Sequence, residues 1–243
     1  MKQIIIIGAS GFGKEVAWII ERINGDNAGT LELQNFRTLE LPGSEIPASA
    51  STAEGAGTLE LQNFRTLELL GFCDDAPDKQ TGVFAGYPLL GALANVKGAT
   101  GLGFICAIGN NRARQRVTAQ ALGMGLVPVT VIDPTAVIAP DAVIGAGSFI
   151  GIGSIVSVGA RLGDGVIVNH QACVGHDATL GDFAQACPGV HISGGCDIGE
   201  GALLGTNAAT LPLTKMGAWA TLGIGTSALR DIPDGATLVR LKG

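Results

Sequence analysis

Between Ile138 and Ala228 the same kind of residue returns every six positions, running through Ile144, Ile150, Val156, Leu162, Val168, Val174 and Leu180 and on to Leu204, Met216 and Leu222. Thirteen of the sixteen positions in this series are large and apolar, and glycine follows nine of them. The position four residues along is small or β-branched throughout, from Ala142 through Ser148 and Ala178 to Ile232. An α-helix repeats every 3.6 residues and an alternating strand every two, so neither fits. A six-residue period is that of a solenoid of very short strands, a parallel β-helix. The aliphatic residue points into a narrow interior, the small residue fills the other inward position, and the glycine is expected to supply the backbone angles of a tight corner. Three such hexads close one triangular coil, so the series makes roughly five coils stacked about 4.8 Å apart. Around 210–215, where Leu211 and Pro212 replace the glycine-centred corner, the sequence predicts a loop or a distorted corner.

The chain has 243 residues, room for this solenoid and one further small domain. Its longest apolar runs, such as Ile4 to Ile7, fall far short of the roughly 18 residues that span a bilayer. Met1-Lys2-Gln3 leads straight into a strand without the parts of a signal peptide, so a cytoplasmic location without membrane insertion is predicted. Five cysteines, an odd number with no Cys-x-x-Cys pair, suggest neither a disulfide framework nor a zinc site. With 15 Lys and Arg against 21 acidic residues and no basic run, nucleic acid is not expected as a partner.

Residues 1–132 read as a small parallel α/β domain and 133–243 as the solenoid domain. A strand at 3–7 runs into Gly8-Ala9-Ser10-Gly11-Phe12-Gly13, and a helix is predicted over Lys14 to Ile23. Further strands fit Leu67 to Cys73, closing on Asp74-Asp75, and Phe104 to Ile108, closing on Gly109-Asn110-Asn111. A helix then runs to about Leu122, and a last strand covers Val127 to Val131. This Rossmann-like order places candidate ligand groups at the carboxyl ends of three strands. Gly29 to Leu41 reappears unchanged as Gly57 to Leu69, each copy able to form a hairpin around Gln-Asn-Phe-Arg, and about 29–56 reads as a duplicated insert.

Gly8 to Lys14 matches a phosphate-binding loop until its last position, where Glu15 stands in place of the hydroxyl residue. Its glycines at 8, 11 and 13 also miss the dinucleotide spacing. What remains is a helix N-terminus, whose free N–H groups suit a diphosphate at Gly8, Ala9 and Ser10. The three histidines, His170, His176 and His191, all lie in the repeat. Their spacing departs from the His-x4-His pair of the γ-class carbonic anhydrases, and no metal is expected. His176-Asp177, just after Gly175, falls at a corner. An imidazole there beside a carboxylate fits a general base, provided the corner geometry lets two sequence neighbours meet. His170 could contribute, whereas His191 reads as structural.

Taken in order, Gly8-Ala9-Ser10-Gly11, Asp74-Asp75, Ile108-Gly109-Asn110-Asn111, Val168-Asn169 and Val174-Gly175-His176-Asp177 resemble bacterial sugar acetyltransferases of the sialic acid O-acetyltransferase and UDP-4-amino-sugar N-acetyltransferase type. The resemblance covers nearly the whole chain except the insert. It implies a left-handed β-helix, a homotrimer and sites between neighbouring solenoids. It assigns Gly8, Ala9, Ser10, Asp74, Asp75 and Gly109 to the nucleotide sugar, one Asp meeting the uracil or ribose. His176 would be the base, Asp177 would increase its basicity, and backbone near Gln185, Thr206 and Ile224 would receive the pantetheine arm of acetyl-CoA. Gln185 stands where relatives often carry histidine, and the chain ends Leu238-Val239-Arg240-Leu241-Lys242-Gly243 without the family's Gly-x-Pro-Ala tail. The expected activity is acetyl transfer from acetyl-CoA to the 4-amino group of a UDP-linked amino-dideoxy sugar in glycan biosynthesis. O-acetylation of sialic acid or another glycan precursor, and a non-catalytic nucleotide-sugar-binding trimer, are its alternatives.

Overall fold

The computed structural model describes residues 2–25, 67–96 and 99–239. The expected insert at 29–56 and the hairpins around Gln-Asn-Phe-Arg lie outside the described residues. The first domain is built from β1 (Lys2–Ile7), α1 (Gly11–Gly25), β2 (Leu67–Cys73), β3 (Gly103–Cys106), α2 (Asn111–Gly123) and β4 (Val127–Pro128). Its four strands are parallel in the order β2-β1-β3-β4. Val16, Ala17, Ile19 and Ile20 recur at helical spacing and form the buried face of α1. The strand expected over Val127 to Val131 divides: Val127–Pro128 joins this sheet, whereas Val131–Ile132 is already the first rung of the solenoid.

Among the described residues, the solenoid has three parallel sheets of seven, six and five short strands, about six coils in all. It therefore extends one hexad before Ile138 and ends on Thr237–Leu238, slightly longer than the roughly five coils expected. The inward series and its small companions form one core, from Ala136, Ala142 and Ile144 to Leu222 and Ala228. Of the loop or distorted corner expected around 210–215, the structure has the second: the period is kept and the ladder is locally disturbed. There Ile192 and Thr210 drop out of the ladder, and the Thr210 hydroxyl accepts the Ser193 N–H at 2.9 Å instead. The last coil is shorter: Met216 bridges to Ile232, so Ile232 takes a large inward position rather than a small one.

The glycines play a different part from the one expected. Those directly after the inward residue lack positive φ. A Cβ at Gly181 would stand 2.6 Å from Glu200 N, and one at Gly175 would stand 2.7 Å from Gly194 N. These glycines let one coil's corner lie against the backbone of the next. From Gly147 to Gly225 the left-handed residue of each corner comes two positions later, as at Gly153 (φ +63) and Asp177 (φ 58).

The two domains share a core. Ile4, Ile6, Val16 and Ile20 pack with Val131, Phe149 and Ile167 from one outer face of the solenoid, and Phe12 meets Phe149 edge-on at 5.0 Å. Arg22 donates to Asp133 at 2.7 Å. Burial pushes the Asp133 carboxyl up, but the Arg22 guanidinium and the Thr135 hydroxyl and N–H outweigh it and hold it below the usual carboxylate range. At the other helix, Asn110 caps α2 by accepting the Ala113 N–H at 2.9 Å. Asn111 donates to the carbonyls of Gly201 and Ala202. Arg114, only 1% exposed, is the fixed point of this joint. It donates to Ile108 O and Asn111 Oδ1 in its own domain, and to Gly165 O, Phe183 O and Gln185 Oε1 across the seam, at 2.7–3.3 Å. Burial lowers its pKa to about 10, so at neutral pH it remains a cation surrounded by neutral oxygens.

Gly181→Ala should destabilise the protein by about 1–3 kcal/mol in urea unfolding, because backbone rather than a side-chain tip must move. Gly225→Ala, where a Cβ meets only open space at φ +61, should cost roughly 1 kcal/mol from its left-handed backbone alone. Arg114→Met leaves several buried carbonyls without donors and should remove at least about 3 kcal/mol. In that variant, hydrogen exchange should rise first in α2 and the corners it holds.

Candidate active site

His176 and Asp177 occupy the solenoid edge between the strands Cys173–Val174 and Thr179–Leu180. On a regular strand their side chains would diverge. Asp177 instead adopts φ 58, a left-handed conformation that aspartate tolerates better than most residues, and the turn brings its carboxylate round to the ring. Nδ1 of His176 lies 2.9 Å from Oδ2 of Asp177. The side chains are 66% and 73% exposed, so the imidazole is open to a substrate rather than sealed inside the prism. With Nδ1 facing the carboxylate, Nε2 is left to exchange a proton. The ring lies over Gly194, one coil further on: a Cβ there would collide with Nε2, and would stand 2.8 Å from Cδ2. The Gly194 N–H donates to no acceptor among the described residues.

The other histidines lie elsewhere. His170, on the next edge, accepts the Ile152 N–H at 3.2 Å and approaches Glu15 of α1 at 3.3 Å, so it belongs to the domain joint rather than to the dyad. His191 points outward from the face between those edges and is exposed. Among the described residues no group of three or more His, Cys, Asp or Glu side chains is placed to hold a metal. No helix there is long and apolar enough to cross a membrane.

Gly8, Ala9, Ser10, Asp74, Asp75 and Gly109 come together at the carboxyl ends of β1, β2 and β3, but their groups are not equally available. Gly8 N–H donates to Cys73 O at 2.7 Å and Ala9 N–H to Asp74 Oδ2 at 2.8 Å, and both residues are buried. Asp74 also accepts the Ala76 N–H at 3.0 Å and the Lys79 ammonium at 3.4 Å, while Lys79 reaches Ala9 O at 2.6 Å. Burial pushes the Asp74 carboxyl up, but these N–H groups and the ammonium hold it below the usual carboxylate range. Asp74 therefore ties two loops together. Ser10, Asp75 and Gly109 are exposed, and nothing stands near a Cβ added at Gly109. Asp75 accepts the Leu93 N–H at 3.3 Å through one oxygen, leaving the other toward solvent.

Gln185 is 9% exposed. Its side chain faces the first domain, with Oε1 on Arg114 and Nε2 on Cys187 Sγ at 3.6 Å. Both ends of its amide are therefore engaged within the chain, and the pantetheine contact expected near it would fall to backbone. Thr206 and Ile224 share the edge that carries His170, with Ile224 77% exposed. They lie on a different edge from His176, and a single chain does not bring them to the dyad. The sequence reading missed Arg114 and Lys79, placed Asn111 in a motif without its role in the joint, and missed the two glycines that flank the dyad. Only the glycines carried a usable signal: Gly159 and Gly194 stand one coil, 18 residues, from Asp177 and His176, a register repeated by the interstrand hydrogen bonds.

Comparison with known proteins agrees with this arrangement. The family model of the PglD N-terminal domain matches residues 58–121. The acetyltransferase domain of PglB from Neisseria gonorrhoeae FA1090 is 30% identical with a TM-score of 0.74, covering 98% of this chain and 96% of that one. The same domain in complex with acetyl coenzyme A is 31% identical with a TM-score of 0.73, over 97% and 95% of the two chains. Perosamine N-acetyltransferase from Caulobacter crescentus, as a histidine-to-asparagine mutant in complex with CoA and GDP-perosamine, is 25% identical with a TM-score of 0.77, over 100% and 98%. No curated protein sequence matches the chain. With a solved relative at 30% identity over nearly its full length, and an α/β domain of the PglD type joined to a hexapeptide-repeat solenoid, the chain belongs to the bacterial sugar acetyltransferase family.

Proposed function

We propose that the protein transfers the acetyl group of acetyl-CoA to the 4-amino group of a nucleotide-linked amino-dideoxy sugar, with UDP as the nucleotide and His176 as the general base. The observation that carries this reading is the exposed dyad, whose Nδ1–Oδ2 distance of 2.9 Å leaves Nε2 outward. Asp177 holds the imidazole in the tautomer with a lone pair on Nε2. As the amine attacks the thioester carbonyl, Nε2 takes its proton. The Gly194 N–H, with no acceptor of its own among the described residues, is the nearest candidate donor to the oxyanion. Collapse of the tetrahedral species breaks the C–S bond, and the imidazolium returns the proton to the departing thiolate. No covalent enzyme intermediate is required.

The sugar's nucleotide sits on the α/β domain, with its diphosphate at the N-terminus of α1 around Ser10, Asp75 contacting the nucleoside and Gly109 giving clearance. Asp74 and Ala9 shape this loop through the bonds they already make. The pantetheine arm runs along the edge of Thr206 and Ile224. Because that edge is not the one carrying His176, the two halves of the site meet only when neighbouring copies of the chain face each other. A homotrimer satisfies this, and exposed Ile155 and Val158 beside the dyad suit burial against a neighbour.

His176→Ala should lower kcat by roughly 10²- to 10⁴-fold with acetyl-CoA and the amino sugar saturating. Turnover unchanged in that variant would end the general-base assignment. A panel of UDP- and GDP-linked 4-amino sugars, read by thiol release, decides the nucleotide. The UDP compound should give the higher kcat/KM, and a preference for the GDP compound would overturn the choice of UDP.

A further inference from the structure

Six corner residues of the solenoid carry a side chain in the left-handed conformation: Gln171, Asp177, Phe183, Asn207, Leu213 and Trp219. Each lies over a glycine one coil earlier, at 153, 159, 165, 189, 195 and 201, where a Cβ would meet that side chain. The coils thus alternate, one with glycine at its corners and the next with side chains folded back over them. At five of these corners the overlying group is an amide, an alkyl chain or an aromatic ring. At the sixth it is the Asp177 carboxylate: a Cβ on Gly159 would collide with Oδ1 and stand 3.4 Å from Cγ. Oδ1 rests on Gly159 while Oδ2 reaches His176, so the space above Gly159 fixes the rotation of the carboxylate. Among the described residues no hydrogen bond holds Oδ1 from below, since Gly159 donates its own N–H to Asp141.

We propose that Gly159 is a positioning residue for acetyl transfer, acting through Asp177 to set the orientation and tautomer of His176; this rests on the general-base reading above. A methyl group at 159 displaces Oδ1, swings Oδ2 away from Nδ1 and frees the ring to rotate or change tautomer. An orienting carboxylate moved by about an ångström is enough to cost on the order of 10²-fold in rate.

The test compares Gly159→Ala with Gly153→Ala. Both glycines have left-handed φ (+68 and +63) in the same coil, but a Cβ at 153 meets only Gln171 Cγ at an ordinary 3.7 Å. Gly153→Ala should lose some thermal stability yet keep the wild-type kcat. Its His176 resonances in 15N-histidine NMR should also be unchanged. Gly159→Ala should lower kcat by ~10²-fold with both KM values within about twofold, and should move the His176 ring nitrogens from one tautomer toward a mixture. Wild-type kcat and an unmoved His176 spectrum in Gly159→Ala would overturn the proposal. Should that variant not fold, Asp177→Gly and the double variant Gly159→Ala/Asp177→Gly settle it, since no carboxylate then stands over residue 159. Equal kcat in these two supports the proposal, and a further tenfold loss in the double variant overturns it. If His176→Ala itself keeps full turnover, the catalytic reading fails, whereas the NMR comparison still reports whether Gly159 sets the ring.

Discussion

Coils stacked backbone on backbone leave no room at their corners. Each strand contributes only two paired residues to its ladder before the chain turns, and the corners add backbone bonds of their own between coils, such as Gln171 N–H to Ile152 O and Asp177 N–H to Val158 O. Gly181 approaches Glu200, Gly199 approaches Ala218 and Gly205 approaches Ile224, all at distances that exclude a Cβ. The interior is a consequence of this stacking. With corners aligned, Ile, Val and Leu recur above one another as continuous columns, and the small residues at the other inward position fill what the columns leave. The dyad depends on the same stacking, because the corners are where the solenoid departs from strand alternation. A His–Asp contact between adjacent residues is possible at a corner and not on a face.

The columns were legible in the sequence because the period is written in side chains of one chemical class, which no helix or ordinary strand would space in that way. The reason for the glycines was not. A glycine required by a positive φ and one required by a close neighbour look alike in a string of letters. Nine glycines directly follow an inward residue and eight stand two positions further on, so frequency does not separate the two kinds. The corner around Pro212 looked like a break for a related reason: its glycine was missing, but Leu213 (φ 63) occupies the left-handed position over Gly195, and the Thr210 hydroxyl replaces a lost rung. In the site, His176-Asp177 could be found because the hexad register placed it at a corner. The difference between Asp74 and Asp75 could not, since two adjacent carboxylates give no sign of which one the backbone will engage.

Arg114 shows the limit from the other direction. It stands among Asn110, Asn111, Arg112, Gln115 and Arg116, a stretch that reads as the wet face of a helix. Its neighbours behave that way: Arg112 stacks over Trp219 at 4.2 Å, and Gln115 bonds Glu200 at the surface. Arg114 turns inward with Asn111, and it becomes one of the most deeply buried side chains among the described residues. Burying a cation with no carboxylate beside it is tolerable only because oxygens from both domains converge on its donors. Such a convergence exists only after the domains have docked, which is why no local pattern announces it.

That joint also determines what a bound sugar can reach. Ile108 O, which Arg114 holds, immediately precedes Gly109 at the mouth of the α/β domain, while Phe183 O and Gln185 Oε1, which it holds on the other side, belong to the coil that carries the dyad. One guanidinium therefore connects the loop at Gly109 to the coil of the His176–Asp177 dyad, through one hydrogen bond on the first side and two on the second. Rigid connection suits this chemistry. In the proposed reaction the acceptor group lies at the far end of a nucleotide sugar from the base that would anchor it, and small rotations between domains become large displacements there. The shared apolar core, the Phe12–Phe149 contact and the Arg22–Asp133 pair resist sliding, and the convergent directional bonds of Arg114, a planar five-donor group, also resist twist. An acetyltransferase of this design controls the placement of its acceptor through the seam between its domains as much as through the residues that touch the sugar.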